Sequence, residues 1–232
     1  KNDTKDNSSF NCCVANTSTF RPVVDDPRDQ TVAYSDDQFA DKLVISAATP
    51  SVKGFQLGAI LNGVGGTRYS FMVGGNKSLN GDFVLTNDLA FVFDPNNPSV
   101  PEPIRKGIQG LLDNPEVTES VKNYIRQNIG KVAERNGGAN PFYYTVDLRL
   151  TKDIKILSRT LSVSADCFNF INLLDKTQGV SYNHGNINLV TMTGFDQTTK
   201  NYTYTVESGA GRKQSTAGGT PWRIQLGLRY AF

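Results

Sequence analysis

The chain has 232 residues, with 24 lysines and arginines against 22 acidic residues, a net charge of +2, and only 38% of it is hydrophobic. So even a balance gives no footing for a nucleic-acid partner, and no apolar run approaches the roughly 18 residues of a membrane-spanning helix. A membrane β-barrel stays open, because its strands need only about 9–11 residues and carry their apolar side chains in alternation.

Residues 1–38 are polar and read as an extracellular loop. The start, Lys1-Asn2-Asp3-Thr4-Lys5-Asp6, has no basic region followed by an apolar run, so no signal peptide is read there and the chain is expected to begin within a longer protein. Cys12 and Cys13 are adjacent, which leaves a vicinal disulfide and two free thiols both open. Leu43, Ile45 and Ala47 alternate as a short strand. Phe55, Leu57, Ala59, Leu61, Thr67, Tyr69, Phe71 and Val73 share one parity, opposite Gln56, Asn62, Arg68 and Ser70, and suggest one long strand over about 54–74.

The segment 74–140 breaks this pattern. Ile104, Ile108, Leu111 and Leu112 have helical spacing, and so do Val117, Val121, Ile125, Ile129 and Val132. Asn114-Pro115-Glu116 suits a helix start and Asn136-Gly137-Gly138 a stop. Two amphipathic helices in a long extracellular loop are expected. Alternation then resumes in 142–150, with Phe142, Tyr144, Val146, Leu148 and Leu150 opposite Thr145, Asp147 and Arg149. It continues in 161–167, where Leu161, Val163, Ala165 and Cys167 oppose Ser162, Ser164 and Asp166, and Cys167 serves as a small apolar side chain. Residues 186–195 read as a strand of unclear parity, and Tyr202, Tyr204 and Val206 make another. The last stretch is the clearest: Trp222, Ile224, Leu226, Leu228, Tyr230 and Phe232 share one face, opposite Arg223, Gln225, Gly227, Arg229 and Ala231.

The connections alternate in length: 50–53, 152–158 and 196–200 are short, while 74–140, 172–185 and 208–220 are long. An up-and-down membrane barrel has short periplasmic turns and long extracellular loops. About seven antiparallel strands over 39–232 would put every short turn on one side, with Phe232 at the periplasmic face. The same alternation also suits a soluble sandwich, hence a surface β-module that recognises glycans through its aromatic loops, or a small structural membrane barrel.

The final strand carries a further pattern. Gln225-x-Gly227-x-x-Tyr230-x-Phe232 matches the assembly signal of outer-membrane barrels, with aromatics to anchor at the interface and a glycine for close strand approach. Together with Ala33-Tyr34-Ser35-Asp36, Asn87-Asp88-Leu89-Ala90-Phe91-Val92, Val132-Ala133-Glu134-Arg135-Asn136-Gly137, Ser164-Ala165-Asp166-Cys167-Phe168-Asn169 and Gly179-Val180-Ser181-Tyr182-Asn183, it resembles the C-terminal barrel portion of TonB-dependent outer-membrane receptors, the Oar-like and SusC-like group. The resemblance implies an all-β transmembrane antiparallel barrel of about 22 strands, of which this chain would supply about seven. It implies a place in the bacterial outer membrane and import of a solute. The implied partners are outer-membrane lipid, the rest of the barrel and its plug, TonB through that plug, the barrel-assembly machinery and a surface lipoprotein.

No catalytic constellation, cofactor site or metal site is read, and the chain is not expected to be an enzyme. His184 is the single histidine, which leaves no histidine pair for a metal and no ready triad, and it is expected to be solvated in a loop. Ser208-Gly209-Ala210-Gly211-Arg212-Lys213 has no helix after it, so it reads as a flexible loop rather than a phosphate cradle. Asn76-x-Ser78-x-Asn80-Gly81-Asp82 has the opening spacing of a calcium loop, but its early positions carry no carboxylate and the twelfth is Asn87 instead of Glu, so no calcium site is expected. The polar residues Asp147, Arg149, Asp166, Arg223 and Arg229 are candidates to face the barrel lumen, where they would meet a solute, one another or the plug.

Overall fold

The computed structural model describes residues 5–6, 22–26, 32–36, 38–39, 41–181, 183–213 and 221–231. Strand makes up 44% of the described residues and no described helix is long and apolar enough to cross a membrane, which establishes a β-rich chain. In chain order the strands are β1 (Lys5–Asp6), β2 (Ala33–Tyr34), β3 (Lys42–Ala48), β4 (Phe55–Val64), β5 (Arg68–Tyr69), β6 (Phe71–Gly74), β7 (Gly138–Ala139), β8 (Tyr143–Ile156), β9 (Arg159–Phe168), β10 (Ile187–Asp196), β11 (Asn201–Val206) and β12 (Arg223–Ala231). The helices are α1 (Glu102–Asp113), α2 (Glu119–Asn128) and α3 (Phe170–Leu174).

Five strands form one open antiparallel sheet in the order β12-β9-β8-β4-β3. Its register brings the alternating faces into line. Ile224 lies opposite Cys167, Cys167 opposite Leu148, Leu148 opposite Ala59 and Ala59 opposite Ala47. One residue along, Gln225, Asp166, Arg149, Gly58 and Ala48 make the corresponding row on the other face. Directly opposed residues project to the same side of a sheet, so one apolar and one largely polar face run unbroken across all five strands. Val44 and Ile60 are the large apolar residues exposed on the polar side. The short turns β3–β4 and β8–β9 lie at one end of the sheet, with Ala231. From the other end the chain leaves on two long excursions, 65–142 and 169–222.

Those two excursions pack together into a head with its own core. There β6 pairs in parallel with β10, and β10 pairs antiparallel with β11. Phe71, Val92, Ile108, Val121, Ile125 and Leu189 are completely buried in it. Phe71 stacks on Tyr124 with ring centroids 4.3 Å apart, and Tyr69 meets Tyr124 edge-on at 5.7 Å. The spacing Ile104, Ile108, Leu111 gives α1 its buried stripe, and Gly107 lets it lie close on β11, since a Cβ there would be 2.6 Å from Val206 Cβ.

Three expectations need correction. The strand expected over 54–74 ends at Val64. A Cβ at Gly66 would stand 2.3 Å from Asn140 Cβ, so here the outgoing and returning chains cross too closely for a side chain, and the residues beyond enter the head as β5 and β6. Five strands, and not seven, share the exposed sheet: β10 and β11 belong to the head, because the adjacent Leu189 and Val190 are both buried, so β10 is covered on both faces at that point. The second helix starts at Glu119, with Thr118 as its N-cap, and not at Asn114, whose side chain instead accepts a hydrogen bond from the Glu116 N–H at 2.9 Å. It stops before Gly130, whose φ of +79° ends the helix well ahead of Asn136.

Candidate functional site

The polar face of the sheet holds a recess of about 620 Å³ that crosses all five strands. Small residues make the room: Ser46 and Ala48 from β3 and Gly58 from β4. Asp147, Arg149, Asp166 and Gln225 line it as well, so the alternation that places apolar groups outward also gathers these polar groups together. Arg149 Nε lies 3.1 Å from Asp166 Oδ1, with the arginine side chain 63% exposed and the aspartate 17%. The more buried carboxylate therefore holds the guanidinium at the mouth of the recess. Asp147 Oδ1 accepts the Asn169 N–H at 2.8 Å, which fixes the corner where β9 gives way to α3. Arg223 stacks over Phe168, 4.4 Å from the ring centroid. Arg229 shares this face at the register position opposite Ser162 and is not among the recess residues. Sequence reading missed Ser46, Gly58, Ile60 and Phe168, because a small or apolar residue on a polar face carries no signal until the neighbouring strands are known.

The residues of the expected assembly signal divide between the two faces. Gln225 lies opposite Asp166 in the recess. Gly227 lies opposite Ser164, where a Cβ would come within 2.7 Å of the Ser164 hydroxyl, so glycine lets these two strands approach. Tyr230 is on the apolar face, 47% exposed, with the Arg159 guanidinium 5.9 Å from its ring. Phe232 lies outside the described residues, as do Cys12 and Cys13.

The head holds a second polar centre that sequence reading placed wrongly. His184 is 7% exposed, not solvated, and its ring meets Tyr69 edge-on at 5.9 Å. Burial holds its imidazole below the usual histidine range. Asn140 fixes it: the Asn140 amide donates to the His184 carbonyl at 2.8 Å and to the Thr67 carbonyl at 3.0 Å, and its oxygen accepts the His184 N–H at 2.7 Å. One buried side chain thus joins both excursions where they leave the sheet. The Gly209–Lys213 run is docked rather than free, with Ala210 buried and Gly211 close on Val121. Among the described residues, no three His, Cys, Asp or Glu side chains converge as a metal cluster would require.

No family model matches the chain, and neither a curated protein nor a solved structure matches it.

Proposed function

We propose that the chain is a wall segment of a bacterial outer-membrane β-barrel, a TonB-dependent receptor that imports a solute, with the head as its extracellular part. The observation that carries this reading is the exposed apolar face of the five-stranded sheet. Leu226 and Leu228 are each 77% exposed, and Ile45, Phe55, Leu57, Leu150 and Ile224 lie exposed beside them on the same side. Water-soluble domains rarely leave so continuous an apolar face uncovered, whereas hydrocarbon covers such a face without loss. The open edges at β3 and β12 are intolerable in lipid unless further strands pair with them, which supports a larger closed barrel. Tyr144 and Tyr230 lie towards opposite ends of the apolar face, as interfacial girdles require. On this reading the recess with Arg149 and Asp166 faces the lumen.

Lipid contact is tested with single cysteines in a chain freed of its native ones, labelled with an environment-sensitive fluorophore after reconstitution. Quenching by spin-labelled acyl chains should be strong at position 226 and absent at 225. A chain that stays folded and monodisperse without detergent, with both positions open to a water-soluble quencher, would instead support a surface β-module. Transport is tested in cells making the whole protein: uptake should require both the protein and TonB.

A further inference from the structure

In the turn that follows β6, two side-chain oxygens gather around one hydroxyl. Ser78 Oγ lies 2.9 Å from Asn80 Oδ1 and 3.0 Å from Asp82 Oδ1. Asp88 closes over the same turn, its Oδ2 accepting the N–H of Leu79, between Ser78 and Asn80, at 2.9 Å. Asp88 is only 2% exposed, yet its Oδ1 has no hydrogen-bond partner among the described residues. No lysine or arginine among those residues forms an ion pair with Asp82 or Asp88. Burial pushes the Asp88 carboxyl above the usual range, the Leu79 N–H opposes the rise, and the charge of Asp82 adds to it.

A buried carboxylate with an open oxygen beside a second carboxylate is completed by a proton or by a cation. The donors at hand are all oxygens: two carboxylates, an amide and a hydroxyl. Such a set suits a hard cation, and calcium accepts mixed, irregular oxygen ligands where magnesium demands a near-ideal octahedron. The geometry points to a calcium site in the 78–88 turn, held by Asp82 and Asp88, with Asn80 and Ser78 supplying further oxygens. The acidic ligand absent at the twelfth position of the sequence motif is then supplied one residue later, by Asp88. The site has a structural consequence. Asn80 also donates to the Asp25 carbonyl at 2.6 Å, and Val23 N–H donates to the Asn87 carbonyl at 2.8 Å, so an ion here clamps the 22–26 segment to the head. It also braces the turn that holds Phe83 at a φ of +65° and 93% exposed.

The experiment is isothermal titration of the full chain, in detergent and stripped with chelator, with calcium chloride and separately with magnesium chloride, alongside thermal unfolding. One saturable calcium event and a raised Tm are expected, with no comparable response to magnesium. Asp88→Asn and Asp82→Asn should each weaken calcium binding at least tenfold, while Asp94→Asn should not. Should Asp88→Asn fail to fold, Asp82→Asn decides the case. The proposal is overturned by a wild-type chain that gives neither heat nor a Tm change in millimolar calcium, by an equal response to magnesium, or by binding unchanged in Asp82→Asn. An Asp88→Asn chain that melts above wild type, with no calcium response in either, would show that Asp88 holds a proton and would equally overturn it.

Discussion

The head and the five-stranded sheet come from one chain, yet they dispose of apolar side chains in opposite ways. In the head, Tyr69, Ser70, Phe71, Met72 and Val73 are consecutive and all buried, so both faces of the strand are covered by protein. In the sheet, Leu226 and Leu228 protrude with nothing over them. Packed side chains in the head gain dispersion contacts and leave water together. The apolar face of the sheet gains little of either from its own residues, and the sheet's cohesion in isolation rests on its backbone ladders and on cross-strand pairs such as Arg149 with Asp166. The same residue types are therefore stabilising in the head by themselves and stabilising in the sheet only when something outside the chain covers them.

Substitutions at matched places can break this contrast. The largest effect should follow Phe71→Ala, which removes the ring stacked on Tyr124 in the head core. A loss of about 3–5 kcal/mol is expected, read as faster hydrogen exchange through β6, α2 and β10, with exchange in β8 and β9 unchanged. Equal acceleration in both regions would mean that head and sheet are one cooperative unit.

If the apolar face meets lipid as proposed, Leu226→Arg would put a guanidinium into hydrocarbon and should cost about 2–4 kcal/mol in a folding equilibrium measured in bilayers. Head stability should be unaffected. If the variant folds into bilayers as well as wild type does, the apolar face does not meet lipid. A smaller loss, about 1–3 kcal/mol, is expected for Asn140→Ala, which leaves the buried His184 N–H and the His184 carbonyl without the Asn140 side chain, while the Thr67 carbonyl keeps the Asn140 backbone N–H at 3.0 Å. Because Asn140 lies at the junction, its effect should reach both excursions, visible as exchange at 67–71 and at 184–190 together.

The smallest effect should be that of Arg149→Ala. Its partner Asp166 is partly covered but the arginine is open to solvent, so stability should change by less than about 1 kcal/mol. If the recess faces the lumen as proposed, the same variant should alter solute uptake far more than it alters folding. Unchanged uptake in cells with normal amounts of inserted protein would remove Arg149 from the solute path.

Much of the sheet was legible in the sequence, because a period of two is a local property. The parity of Ile224, Leu226 and Leu228, and of Leu148 and Leu150, follows from their order in the chain, and the register puts all of them on one face. The spacing of Ile104, Ile108 and Leu111 gave the buried side of α1 in the same way. Local pattern also separated Asp147, Arg149 and Asp166 from the apolar residues beside them.

Which strands share a sheet was decided by tertiary structure alone. Tyr69, Phe71 and Val73 continue the parity of Phe55 to Leu61, yet the chain turns away at Gly65 and Gly66, because at that point it must pass the backbone at Asn140. Parity reports which side a side chain takes and says nothing about what will cover that side. The burial of His184 and the open oxygen of Asp88 were beyond the sequence for a related reason. Each depends on residues distant in the chain or on a neighbouring turn folding back, Asn140 for one and Leu79 for the other, and a buried polar group is defined by its partners and not by its neighbours in sequence.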